Sequence, residues 1–118
     1  MLGLSHKAGT DDIRSSPAID LYKRLTTAGA FVSAYDPQAI SNAHAAFPGL
    51  VSCRDAYETA EGADALLILT EWHDFRILDW PRIRGIMARP LVLDGRNLLS
   101  PLYMKSLGFE NHSVGRPD

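Results

Sequence analysis

Only one cysteine, Cys53, stands in the 118 residues. An internal disulfide is therefore impossible, and no Cys/His spacing of the zinc-binding kind is present. Long apolar runs are missing too. Nothing approaches the ~20 residues of a membrane span, and Met1 is not followed by the basic and apolar regions of a signal peptide. Charge of one sign is also lacking. The 12 basic and 14 acidic side chains are interspersed, with a net charge of -2, so there is no basic stripe for nucleic acid. Glycine-rich nucleotide loops are absent. Gly3 and Gly9 lie close together, but no lysine follows Gly9, and the three spaced glycines of a dinucleotide fingerprint are missing. These absences leave a cytoplasmic domain without membrane or nucleic-acid partner as the expectation. A small anionic ligand, which needs only two or three local cations, remains compatible with them.

Apolar residues make up 46% of the chain and charged residues 22%. That is enough for one cored domain over residues 1–118. Short apolar runs alternate with helical patterns. Strands are predicted over 2–4, 30–35, 50–52, 65–69, 91–93 and 109–114. Between them, Ser16-Pro17 has the form of an N-cap followed by a first-position proline. Ala18, Leu21, Tyr22, Leu25 and Ala28 then recur at helical spacing. A short helix spans 39–46, Asp55-Ala56-Tyr57-Glu58 reads as a capping box, and Asp79-Trp80-Pro81 and Ser100-Pro101 open two more helices. The alternation predicts a doubly wound, Rossmann-like α/β fold: a parallel sheet of about six strands with helices on both faces, in the order 3-2-1-4-5-6. The run 65–69 is apolar throughout, as in a central strand buried on both faces. The first strand is cut short at Met1, which suggests a piece of a longer protein.

Open α/β sheets bind ligands at the carboxyl ends of their strands, where the winding reverses. In this order the reversal falls between the first and fourth strands. The first strand delivers His6 and Lys7 there, the fourth delivers residues 70–75, and the fifth delivers Asp94-Gly95-Arg96-Asn97. The first and fifth strands lie two spacings apart, roughly 10 Å, so Lys7 and Arg96 could share one diphosphate. Free backbone N–H groups after the first strand and the helix start near Ser16 would suit the same anion. The plainer alternatives are a solvated loop lysine and a turn arginine paired with Asp94. Asp11 and Asp12 read as loop residues that orient Arg14 and the backbone, because two carboxylates lack the third partner a metal would need. Phe75 and Trp72 read as packing for the next helix, Trp80 as a buried anchor, and His73 with Asp74 as an exposed helix start. Cys53 reads as a small core residue.

Gly3-Leu4-Ser5-His6-Lys7-Ala8-Gly9-Thr10-Asp11-Asp12-Ile13-Arg14-Ser15-Ser16-Pro17 closely resembles the opening of the C-terminal domain of the UDP-glucose/GDP-mannose dehydrogenase family. The likeness continues through Ala34-Tyr35-Asp36-Pro37, Gly62-Ala63-Asp64-Ala65 with Thr70-Glu71-Trp72, Asp94-Gly95-Arg96-Asn97, and His112-Ser113-Val114-Gly115-Arg116-Pro117. The resemblance implies a nucleotide-sugar-binding domain of an NAD-dependent enzyme, most like a UDP-glucose 6-dehydrogenase. Such enzymes oxidise the C6 alcohol of a nucleotide sugar to a carboxylate with two NAD in succession. It implies that the N-terminal NAD-binding and central domains, and the cysteine nucleophile, lie outside this chain, and that the whole protein is a homodimer or higher. By that resemblance Lys7, with the backbone of His6, meets the UDP-sugar diphosphate, Arg96 reaches the substrate, and Arg14 reaches the NAD diphosphate. No catalytic residue and no metal ligand is carried over, and Cys53 does not match the nucleophile. The chain departs from the family where His6 replaces a usual phenylalanine and Ala8 a usual proline.

A non-catalytic nucleotide-binding or regulatory module of the same fold is the main rival. A phosphoryl-accepting receiver domain is a weaker one, since Asp55 is displaced from its strand end and Asp94 stands where that fold needs a lysine. The dehydrogenase reading requires that Lys7 and Arg96 converge with no internal carboxylate filling the space between them.

Overall fold

A computed structural model describes residues 1–114; the Gly115-Arg116-Pro117 part of the last family block lies outside the described residues. Five short strands form: β1 (Ser33–Ala34), β2 (Val51–Ser52), β3 (Leu66–Ile68), β4 (Leu91–Asp94) and β5 (Glu110–Ser113). All pairings are parallel, β1 with β2 in one sheet and β3-β4-β5 in another. This corrects the expectation of one sheet of about six strands. The first predicted strand contributes a single residue, Leu2, which bridges in parallel to Tyr35 on one side and Ile68 on the other. Its amide donates to the Leu67 carbonyl and its carbonyl accepts from Leu69 N. The next residue is Gly3 at φ 101, a backbone turn that ends the ladder after one residue. The lateral sequence β2, β1, Leu2, β3, β4, β5 still follows the predicted order.

Helices α1 (Pro17–Thr27), α2 (Ile40–Ala46), α3 (Ala56–Ala60), α4 (His73–Arg76), α5 (Trp80–Ile86) and α6 (Pro101–Ser106) connect them. Two apolar clusters result. One gathers Leu4, Ala18, Ile19, Tyr22, Ala34 and Ala43 beneath α1 and α2. The other gathers Leu66, Ile68, Phe75, Trp80, Ile83 and Met104 beneath α3, α5 and α6. Alternate residues of β3 feed the two, as the period of two in a strand requires. Leu66 and Ile68 are fully buried, whereas Leu67 and Leu69 are only partly covered. The run 65–69 is therefore central, but its α1 side is not sealed. The α1 face differs slightly from the predicted one: Ile19 is buried, Leu21 is half-buried and Ala28 is exposed.

Of the four helix starts marked in the sequence, three form a side-chain cap. Asp55 accepts from Glu58 N, Asp79 from Arg82 N and Ser100 from Tyr103 N. Ser16 is the exception. Its hydroxyl is buried and donates to the Leu4 carbonyl at 2.8 Å instead of capping α1. Phe75 and Trp80 sit whole in the core, edge-on to Tyr35 and Phe109. Each contributes about 1.5–3 kcal/mol through burial. Among the described residues no helix is long and apolar enough to cross a membrane.

Candidate functional site

The carboxyl ends of Leu2, β3 and β4 carry the residues singled out above, and two buried aspartates set their backbones. Asp36, fully buried at the end of β1, takes four backbone amides. One oxygen accepts from Leu4 N (2.8 Å) and Ser5 N (3.1 Å), the other from Gln38 N (2.9 Å) and Ala39 N (2.8 Å). The N–H groups expected to be free for an anion after the first strand are thus occupied by the chain's own carboxylate. His6 N is likewise committed, to the Asp12 carbonyl at 2.7 Å. Ser5 Oγ donates to the Lys7 carbonyl, which closes the turn. The backbone around Lys7 is therefore fixed from inside, while His6 and Lys7 themselves are exposed. The Lys7 ammonium has no hydrogen bond or ion pair among the described residues.

Asp94 plays the second part. It is buried at the end of β4 and accepts from Arg96 N (3.1 Å) and Leu99 N (2.8 Å). Gly95 N donates to the Ile68 carbonyl, and a Cβ on Gly95 would come within 3.1 Å of that oxygen. Asn97 completes the turn at φ 54, a conformation asparagine tolerates. The expected pairing of Arg96 with Asp94 occurs only through the Arg96 backbone. Its guanidinium goes to Glu71 at the exit of β3, with Nε 2.7 Å and Nη2 2.5 Å from the same oxygen, Oε2. Sequence reasoning missed Glu71 and Asp36. The only available signals were their places directly after strands, in Thr70-Glu71-Trp72 and Tyr35-Asp36-Pro37.

Arg14 lies in the same loop as Lys7 and is held by Asp12 in a two-pronged pair, Nε to Oδ1 at 3.0 Å and Nη2 to Oδ2 at 2.9 Å. The predicted orienting role of Asp12 is what forms. The Arg14 hydrogen bonds lower the Asp12 carboxyl to about 2, although the arginine side chain is 88% exposed. No group of three His, Cys, Asp or Glu able to hold a metal occurs among the described residues. A cavity of about 450 Å³ exists, but at the opposite, amino-terminal end of the strands, beside Met1, Leu25, Phe31 and Gly62. Its lining offers no cationic side chain, so it does not compete for the anion-binding role.

A close approach seals the crevice between Leu2 and β3. A Cβ on Gly3 would fall 2.2 Å from Thr70 Oγ1 and 2.8 Å from Thr70 N. Only glycine fits there. The Lys7 loop and the Thr70–Trp72 exit are therefore locked side by side.

Residues 1–101 match the model of the UDP-glucose/GDP-mannose dehydrogenase family, UDP binding domain. The chain belongs to that family. It is 47% identical over 118 residues to a UDP-glucose 6-dehydrogenase of Rhizobium meliloti, covering all of this chain and 27% of the relative. It is 44% identical over 121 residues to one of Pseudomonas aeruginosa, covering 98% of this chain and again 27% of the relative. Among solved structures, an NDP-N-acetyl-D-galactosaminuronic acid dehydrogenase of Methanosarcina mazei superposes with a TM-score of 0.85 at 26% identity, over 98% of this chain and 24% of that one. A UDP-glucose dehydrogenase of Pyrobaculum islandicum gives a TM-score of 0.71 at 28% identity, over 82% and 21%. The chain thus spans about a quarter of the length of the proteins it matches.

Proposed function

We propose that this chain grips the diphosphate of a UDP-sugar on behalf of an NAD-dependent UDP-glucose 6-dehydrogenase. Lys7 supplies a point charge and Arg96 a forked donor, presented from two strand exits on either side of β3. Binding energy gathered on the remote diphosphate would hold the sugar C6 alcohol at the reacting centre. Oxidation to the carboxylate would take place on residues outside these 118. The NAD-binding and central domains, and assembly as a homodimer or higher, belong to the same proposal.

NAD supplies the hydride acceptor in such an enzyme. This chain's own residues do not build a dinucleotide site, because Asp36 already fills the amides at the exit of Leu2. Arg14 is assigned only an outer contact to the NAD diphosphate, for which its exposed guanidinium is suited.

The observation that carries the reading is the Lys7 ammonium, without a partner among the described residues, on a backbone fixed by Asp36. A lysine there gains nothing from the fold, yet the fold invests a buried carboxylate in holding its loop. Titration of UDP into the chain and into Lys7→Ala tests it. The variant is expected to bind about tenfold more weakly, the loss of one charge-assisted contact. Equal affinities would show that Lys7 is not the anion anchor.

A further inference from the structure

Arg96 does not wait free for a ligand, and the way it is held is informative. Glu71 engages one edge of the guanidinium, formed by Nε and Nη2, and does so through a single carboxylate oxygen. Nη1 has no partner among the described residues. A planar guanidinium offers donors on more than one edge, so an arginine fixed along Nε can still fork its far end onto a phosphate. Both partners of the pair rise from fixed backbone. Arg96 N is tied to Asp94, and Gly95 N to the Ile68 carbonyl. Glu71 follows Thr70, which is fully buried and pressed against Gly3. The Arg96 side chain is 34% exposed, against 88% for the Arg14 side chain, so Arg96 is the more confined of the two.

We infer that Glu71 is a positioning residue: it holds the Nε edge of Arg96 so that the opposite edge faces the diphosphate shared with Lys7. This rests on the diphosphate-binding reading above. The competing physical picture is that Glu71 is an internal counter-ion sitting where the phosphate must go. The two pictures differ in sign. An aligned arginine loses ligand affinity when the aligning group is deleted. A masked arginine gains affinity when the mask is removed.

The test is a UDP titration of the full 118-residue chain carrying Glu71→Ala, Glu71→Gln, Arg96→Ala, or Glu71→Ala with Arg96→Ala, each also unfolded in urea. Glutamine keeps an acceptor oxygen for the Nε edge without the charge. Positioning predicts that Glu71→Ala weakens UDP binding about three- to tenfold, that Glu71→Gln restores most of it, and that Glu71→Ala costs nothing more once Arg96 is gone. The urea midpoints should stay close together, because a partly exposed pair adds little to stability. Tighter or unchanged binding by Glu71→Ala overturns the positioning role in favour of a counter-ion. So does an equal loss with and without Arg96, since Glu71 would then act by another route. If Arg96→Ala and Lys7→Ala both bind UDP like the unaltered chain, or if that chain does not bind it at all, the diphosphate reading itself falls and takes this role with it. Loss in the Lys7→Ala and Arg96→Ala arms with none in Glu71→Ala sinks the positioning role alone, which separates the two failures.

Discussion

The loops carrying Lys7 and Arg96 are built on the same device, a buried aspartate that answers backbone amides, but the two aspartates reach differently. Asp94 binds amides of its own turn, two and five residues ahead. Asp36 binds two amides just ahead of it and two more 31 and 32 positions back in the chain. One carboxylate shapes a turn; the other also joins two separate strand exits. The cations they support differ in the opposite sense. Arg96 is braced by Glu71, and Lys7 is left without a partner among the described residues. A local anchor goes with a guided arginine, and a long-range anchor goes with a free lysine.

Removing the anchors should break the comparison most visibly. Asp36→Ala removes the side-chain acceptor of four backbone amides, and Asp94→Ala that of two. At roughly 1–3 kcal/mol for each uncompensated buried group, the expected losses are about 4 kcal/mol or more for Asp36 and about 2 kcal/mol for Asp94 in urea unfolding. Similar losses for the two would mean that the cross-strand reach of Asp36 adds nothing.

A second contrast lies within the Lys7 loop itself. Gly3 and Gly9 both have positive φ, 101 and 83. A Cβ on Gly3 meets Thr70, whereas one on Gly9 meets nothing within 4 Å. Gly9→Ala should therefore cost only the left-handed backbone term, about 1 kcal/mol. Gly3→Ala adds a collision with backbone that cannot swing away, for a total of about 3 kcal/mol. Chemical denaturation of both variants checks the difference. Equal midpoints would show that the root of the loop is as loose as its tip.

Much of this was legible in the chain. Most helix starts and strand regions were marked by a cap, a proline or an apolar run, and Lys7, Thr70–Trp72 and Arg96 stand at strand exits as expected. What could not be read was how side chains close back on the backbone. Asp36-Pro37 looks like any strand-ending turn until Leu4 and Ser5 are seen to donate to it. Ser16 has the sequence of an N-cap, yet its hydroxyl serves the Leu4 carbonyl, a partner set by tertiary packing. Glu71 and Arg96 are 25 residues apart, and no local pattern announces their pairing. The reduction of the first strand to Leu2 was equally hidden, because it follows from the turn at Gly3 and not from any loss of apolar character.

A pH-dependent effect concerns the root of the Lys7 loop. In the 118-residue chain the Met1 α-amine is buried and donates to the Ser33 carbonyl at 2.7 Å. Burial lowers it from 8.0 to about 5, against a smaller opposing effect from Cys53. Between those values the unfolded chain carries a proton that the folded chain does not. Stability is therefore greatest above pH 8, declines as the pH falls towards 5, and levels off for this group below that. The expected loss between pH 8 and pH 6 is about 2 kcal/mol, read as a shift in the urea midpoint. Acetylating the amine should abolish the slope, because the group then cannot titrate and the cavity beside Met1 has room for the added atoms. The Asp94 turn hangs from β4, far from this amine along the sheet, so amide protection at Leu99 should follow global stability alone. Amides of Leu4 and Ser5 should lose additional protection as the pH falls. If the two loops lose protection in step, the roots are energetically one unit, and the contrast between a local and a long-range anchor does not extend to their dynamics.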